Sequence, residues 1–415
     1  MSGEVDIAII GGGLLGLATA RAVLRAHPGA SVAVLEKESR WGAHQSGHNS
    51  NVIHSGLYYA PGSLKARLAR AGGEAMIRYC EQHGVPVKRT GKIVVATAEQ
   101  QLPRLDALAA RGRENGVTVA RLSRAEIAER EPHVAGVGAL AVADTAMTDF
   151  GRVCLALATE LTDLGADLRT NSPARSFTTS RDRTVIDTPD GEVRARIIVN
   201  CAGLHSDKIA EAAGHRPPVR IMPFRGEYAE VRPARRGLIT NPVYPVPDPE
   251  LPFLGVHVTP MLDGSVHVGP NAVPALARQG YRWRDVDVRM LGELLRDPAV
   301  RGLARRYWRY GIVEISRSLI WPLFVRDVRR LIPEINGEDL RRDGSGVRAQ
   351  AVTSTGELVD DFVISRTQRA IHVLNAPSPA ATSSLFIGSH IAADAFDRLG
   401  LADIARTVRE SATGS

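Results

Sequence analysis

Cysteine and lysine are scarce in this chain, and no long apolar run occurs. The three cysteines, Cys80, Cys154 and Cys201, are odd in number, widely spaced and set among apolar residues, with no CxxC pair. That pattern argues against a metal centre or a redox dithiol and reads as buried free thiols. No stretch approaches the ~20 apolar residues that a membrane-spanning helix needs. The first residues, MSGEVDIAII, enter a strand-like run with no basic segment or cleavage site, so no secretory signal is expected. Charge is only mildly one-sided: 52 Lys and Arg against 45 Asp and Glu give +7, and five of the cations are Lys. No basic block alternates with stacking aromatics as a nucleic-acid groove requires, so no nucleic-acid partner is expected. Ala304–Gly311 (ARRYWRYG) comes nearest. It reads as a solvated helix face or as contact with an anionic membrane surface. The expected location is the cytoplasm, with peripheral attachment at the inner face of the membrane as the alternative.

What is present is informative. A chain of 415 residues is too long for one compact core, and two domains are expected. Asp6–Ile10 (DIAII) is an apolar run, followed by GGGLLG, a helical stretch ended by Pro28-Gly29, and a second apolar run at Ser31–Glu36 (SVAVLE). That is a β-α-β unit on a parallel sheet. Helices are expected at 63–83, 98–115, 123–130 and 149–165, and strands at 93–96, 167–170, 185–188 and 195–200, with a tight turn at Asp190-Gly191. From Pro217 the composition turns to proline, aromatics and strand formers, and Ser265–Gly269 alternates as an antiparallel strand facing a pocket would. Helices return near 284–310, then a strand at Arg369–Leu374 and a helix from about Ala380 to Leu399. The fold class is therefore α/β (α+β over the whole chain): a discontinuous Rossmann-like domain from 1–90, 141–216 and 340–415, with an antiparallel-sheet substrate domain from 91–140 and 217–339.

Gly11, Gly13 and Gly16 match G-x-G-x-x-G between a strand and a helix. Gly11 permits the turn, Gly13 lets a pyrophosphate approach the backbone, and Gly16 allows close helix–strand packing, while the helix N-terminus favours the anion. Glu36, at the end of the second strand, is placed to accept hydrogen bonds from ribose hydroxyls and would repel a 2′-phosphate. Ala202 and Gly203, at the end of RIIVNCAG, are small enough to admit a cofactor across the sheet edge.

Several blocks are long and unusual: LEKE at 35–38, HQSGHNSNVIHSGLYY at 44–59, CAGLHSD at 201–207, PFRGEY at 223–228, YPVPDPELPFLGVHVTP at 244–260, GVRAQAV at 346–352 and NAPSPAATSS at 375–384. With them the chain resembles the L-2-hydroxyglutarate dehydrogenase/oxidase family of the FAD-dependent D-amino-acid oxidase superfamily. The resemblance implies noncovalent FAD, no metal, oxidation of an L-2-hydroxy acid to a 2-oxo acid, and O2 or a quinone as acceptor. It places Lys37, His44, Gln45 and Ser46 on the phosphate side of the cofactor and His48, Asn49 and Ser50 near the ribityl chain and ring. Pro379, Ala381 and Thr382 fall at the flavin's N1/O2 edge. It assigns the α-carboxylate to Arg348 and puts Arg225 at the pocket or flavin. His54, His257 and His267 are candidates for the base, since imidazole titrates near working pH and can take the hydroxyl proton. Tyr59 and Tyr244 are candidates for the distal carboxylate.

The chain departs from the family pattern at Asn51, where the family reads glycine, in 144–150 (DTAMTDF), and in 275–282 (ALARQGYR). Asn51 is the least costly replacement where φ is positive. Elsewhere its carboxamide would reach ring or substrate, so it joins the substrate candidates. These departures keep two other readings open: the same chemistry on a related hydroxy or amino acid, and a flavin-binding protein without turnover.

Overall fold

The structure is a computed structural model that describes residues 3–248 and 255–412; residues 249–254 of the YPVPDPELPFLGVHVTP block lie outside the described residues. Five strands form a parallel sheet in the order Asp167–Arg169, Val32–Leu35, Gly3–Ile10, Gly191–Asn200, Ala370–Asn375. Val32–Leu35 and Ala370–Asn375 are buried along their whole length, as expected of parallel strands covered on both faces. Leu14–Ala26, Phe150–Asp163 and Ser384–Arg398 pack on one face through Leu17, Leu157 and Ile391. A meander of Ser176–Thr179, Thr184–Thr188 and the first half of Gly191–Asn200 closes over the other, setting Ile186 against Ala8 and Ala33. Its hairpin turns at Asp190-Gly191, where Gly191 takes φ +108°.

The second sheet has nine strands. Its spine is a long antiparallel ladder between Val219–Val231 and Leu340–Thr353. Next come Val266–Gly269, His257–Pro260 and Val243–Pro245, then Lys92–Ala96, Gly138–Val142 and Val119–Leu122. Val243–Pro245 and Lys92–Ala96 run parallel to each other, an exception to the antiparallel expectation. Leu340–Thr353 also departs from the sequence reading, which put 340 onward in the first domain. It pairs with Val219–Val231 from end to end, so its backbone ladder holds it in the second sheet.

Alternation sorts this sheet into two unlike faces. Ile93, Val243, Val258, Val268 and Ala229 face Phe324, Val325 and Val328 of the helix Trp321–Arg329 and make an apolar core. Register puts Lys92, Tyr244, His257, Thr259, His267, Tyr228 and Arg348 on the other face. The helices expected near 284–310 reach further, as Val288–Arg296, Pro298–Leu319 and Trp321–Arg329. The last sheet-covering helix begins at Ser384 rather than near Ala380. Residues 380–383 form a turn instead: Thr382 Oγ1 accepts the His54 N–H (3.0 Å) and Ser383 Oγ donates to the Leu68 carbonyl (2.8 Å), drawing these side chains outward.

Candidate functional site

The glycine turn is tight at each expected point. Gly11 takes φ +108°, and a Cβ there would lie 2.5 Å from the Cys201 carbonyl oxygen, next to Ala202. A Cβ on Gly16 would lie 2.0 Å from the Gly11 carbonyl oxygen. Gly13 is extended and caps Leu14–Ala26. Ser46 Oγ accepts the Leu14 N–H (3.0 Å), while the N–H groups of Gly13, Leu15 and Gly16 donate to no described residue. Glu36 is buried at the mouth of this turn, one carboxylate oxygen accepting the Gly12 N–H (2.8 Å) and the other the Glu38 N–H (2.9 Å). Trp41, which no sequence motif singled out, packs over Gly12, where a Cβ would meet its ring at 2.3 Å.

The polar segment that follows runs from this turn to the second sheet. His44 lies 2.9 Å from the Tyr281 hydroxyl and 2.8 Å from Glu38, which also pairs with Lys37. Gln45 reaches Gly203, whose φ is +53° and where a Cβ would lie 2.7 Å from Oε1. Asn49 turns back on the chain: Nδ2 donates to the carbonyls of Gln45 (3.0 Å) and Ser46 (2.8 Å), and Oδ1 accepts the Asn51 N–H (2.8 Å). Ser50 is half-buried beside it. The His48 ring packs 4.7 Å from Tyr281, and its carbonyl fits against Gly346, where a Cβ would come within 2.5 Å. Burial and the nearby Arg40 lower the His48 pKa.

Four candidates are placed differently from the expectation. Asn51 adopts φ +56°, and its carboxamide oxygen accepts the Phe150 N–H (3.3 Å) at the start of Phe150–Asp163. Its carbonyl accepts the Thr148 N–H (3.0 Å), so Asn51 braces the 144–150 segment and leaves the substrate list. Arg225 alternates with Arg348: Phe224 pairs with Arg348 and Arg225 with Val347, so the two arginines point to opposite faces. Arg225 is fully buried, 3.1 Å from Glu227 and 4.2 Å over the Trp283 ring, away from the polar face. Tyr59 bonds Ser378 in the Pro-rich turn (3.0 Å). His267 shares the polar face but sits at its rim, 3.7 Å from Asp343.

The remaining residues converge. His257 stacks on Tyr244 at 4.2 Å, and its Nδ1 donates to the Gly255 carbonyl (3.1 Å), which leaves Nε2 as the acceptor. Burial, with Arg348 and Lys92 nearby, lowers its pKa to about 4. Burial, with Lys92 and His257, lowers that of His54 to about 3. Both imidazoles are therefore neutral near pH 7. Lys92 is buried, with its Nζ 4.4 Å over the Tyr58 ring and 5.0 Å over that of Tyr244. The sequence reading passed over Lys92, Tyr58 and Tyr228. The signal was a lone lysine opening the aliphatic strand KIVVA in a chain with only five lysines. At the turn before Ser384, Pro379 accepts the Ser383 N–H (2.9 Å), and the N–H groups of Ala381 and Thr382 donate to no described residue. The free amides at the glycine turn and at Ala381 and Thr382, with the glycine cradle, fit a dinucleotide with an anionic middle and an electron-rich ring edge.

Residues 6–394 match the family model described as FAD dependent oxidoreductase. An L-2-hydroxyglutarate dehydrogenase of Indibacter alkaliphilus is 44% identical over 390 residues, covering 94% of this chain and 98% of that protein. The mitochondrial L-2-hydroxyglutarate dehydrogenase of Homo sapiens is 42% identical, covering 95% and 89%. Among solved structures, an FAD-bound L-alpha-glycerophosphate oxidase from Mycoplasma pneumoniae superposes with a TM-score of 0.75 at 21% identity, covering 97% of this chain and 95% of that one.

Proposed function

We propose, from the premise that this chain belongs to the family of FAD-dependent oxidoreductases, that it oxidises L-2-hydroxyglutarate to 2-oxoglutarate. The observation that carries the reading is the polar face of the second sheet, where a neutral His257 lies within the electrostatic reach of Arg348 and Lys92. Gly11, Gly13, Gly16, Glu36, Gln45, Ser46, Ala202 and Gly203 would hold the dinucleotide, and Ala381 and Thr382 the ring edge. Asn49 bonds its own turn and offers no nucleophile for a covalent link. When bound, FAD supplies the acceptor for the hydride leaving the substrate's α-carbon.

The protein's part is placement and proton transfer. Arg348 takes the carboxylate beside the reacting carbon through its planar fork. His257 Nε2 takes the hydroxyl proton, and the Gly255 carbonyl fixes the tautomer that leaves Nε2 unprotonated. His54 is neutral beside it and is the second base candidate. Residues 3–90, 141–216 and 363–412 carry the cofactor side, and 91–140, 217–248 and 255–353 carry the substrate side.

One surface feature bears on the electron acceptor. On Pro298–Leu319, Trp308 and Ile312 are exposed on one stripe with Arg305, and Leu319 and Ile320 continue the apolar exposure. Among the described residues no helix is long and apolar enough to cross a membrane. This face suits peripheral contact with an anionic bilayer, which would bring a membrane quinone within reach as acceptor beside O2.

Anaerobic titration tests the function. L-2-hydroxyglutarate is expected to bleach the flavin absorbance of the purified holoenzyme with one equivalent of 2-oxoglutarate formed. A flavin that stays oxidised under excess substrate would refute the assignment.

A further inference from the structure

Of the five lysines, Lys37, Lys65 and Lys208 pair with carboxylates and Lys88 is exposed. Lys92 is 3% exposed, and among the described residues no carboxylate reaches it. A buried ammonium without an anion is costly, and folds retain such groups where a ligand completes them. We propose that Lys92 receives the distal carboxylate of a dicarboxylic 2-hydroxy acid, while Arg348 holds the carboxylate next to the reacting carbon. The inference rests on the reading of the site given above and adds the residue that sets substrate length and charge.

The geometry supports a two-cation clamp. Lys92 and Tyr244 share the polar face through the parallel pairing of Val94 with Tyr244, and His257 stacks on that tyrosine. In the strand order of the second sheet, the His257 strand lies between those of Lys92 and Arg348, and both charges lower the His257 pKa. A substrate stretched from one cation to the other would present its α-hydroxyl, at the Arg348 end, to His257. The rings of Tyr58 and Tyr244 stabilise the ammonium before an anion arrives and wall a slot that suits a compact point charge.

Burial lowers the Lys92 pKa to about 7. The titratable groups facing it are Tyr58, Tyr244, His54 and His257. Burial raises both phenols, and both imidazoles are held neutral, so none supplies a counter-charge near pH 7. The cation of the free enzyme is therefore lost as pH rises through about 7, and dicarboxylate binding should weaken with it.

The test compares L-2-hydroxyglutarate with L-2-hydroxypentanoate, which has the same carbon length and no distal charge, in wild type and Lys92→Met. The readout is the ratio of kcat/KM for the two substrates. It is expected to fall about 100-fold in Lys92→Met, through KM for the dicarboxylate, while Lys92→Arg restores part of it. An unchanged ratio, or equal loss of kcat on both substrates, would overturn the proposal. If Lys92→Met fails to retain flavin, the wild-type profile decides. KM for the dicarboxylate should rise above about pH 7 while KM for L-2-hydroxypentanoate stays flat; parallel profiles overturn the proposal. A wild type that L-2-hydroxyglutarate does not reduce sinks the functional reading as well, whereas normal turnover with an unchanged ratio sinks Lys92 alone.

Discussion

Two residues with opposite fates show how a side chain's direction decides its role. Asn51 sits in the segment nearest the expected ring, yet its positive φ turns the carboxamide toward the Phe150 amide. His257 lies on a strand far along the chain, yet its Nε2 opens onto the polar face. Asn51→Gly should leave KM and kcat within about threefold of wild type and change stability by about 1 kcal/mol or less, because glycine accepts the same φ and one hydrogen bond, from the Phe150 N–H to the carboxamide oxygen, is lost. His257→Gln should keep flavin and lower kcat by about 10²- to 10⁴-fold, the usual span for a removed general base. Stopped-flow reduction of both variants checks this. If Asn51→Gly changes substrate choice, the placement of its carboxamide is wrong. If His257→Gln reduces at the wild-type rate, the base is His54 or another group.

At the scale of elements, Pro298–Leu319 carries the sharpest expectation. Its exposed Trp308 and Ile312 beside Arg305 should bring the holoenzyme down with anionic phosphatidylglycerol vesicles, with less binding in high salt and less again in Trp308→Ser/Ile312→Ser. Equal recovery with neutral vesicles would remove the electrostatic part. That helix was legible in part, since its basic and aromatic pattern was visible but its length was not. The first β-α-β unit was legible in type and order, though its strand begins at Gly3 rather than Asp6 and its helix already at Leu14, because period, glycine spacing and the acid at Glu36 all agree there. Leu340–Thr353 was not. Its residues LRRDGSGVRAQAVT mix charge and small side chains, and what makes them a strand is the distant partner Val219–Val231. The same cause hid the face of Arg225, since only the pairing of Phe224 with Arg348 shows that neighbouring positions diverge. Lys92 stood out only as the lysine that opens the aliphatic strand KIVVA, and its burial is a product of the tertiary fold.

Across the whole molecule, the buried imidazoles couple stability to acidity. His54 is lowered to about 3, and His205, His257 and His372 to about 4, each chiefly by burial. An unfolded histidine takes a proton near 6.5, so between about 6.5 and 4 the unfolded chain binds more protons than the folded one. Stability from these groups is complete above 6.5 and is lost as pH falls, each adding a slope of up to about 1.4 kcal/mol per pH unit. Thermal unfolding between pH 8 and 4.5 should show Tm falling steeply below 6 and still rising gently above 7, where Lys92 is neutral in the folded protein and protonated in the unfolded chain. A flat profile to pH 4.5 would mean that these rings are already solvated in the native state.

The bond from His54 to Thr382 has a consequence in time. A ribosome makes the glycine turn well before the Ala370–Asn375 strand and Thr382, and domains fold as their chain becomes available. The cradle for the phosphates is thus translated hundreds of residues before the amides that would meet the ring edge. A nascent chain that has not reached Thr382 holds half a site, and secure capture of the cofactor must wait for that turn. A protein cut short before residue 370 would lose its hold on flavin even with every glycine of the first turn in place.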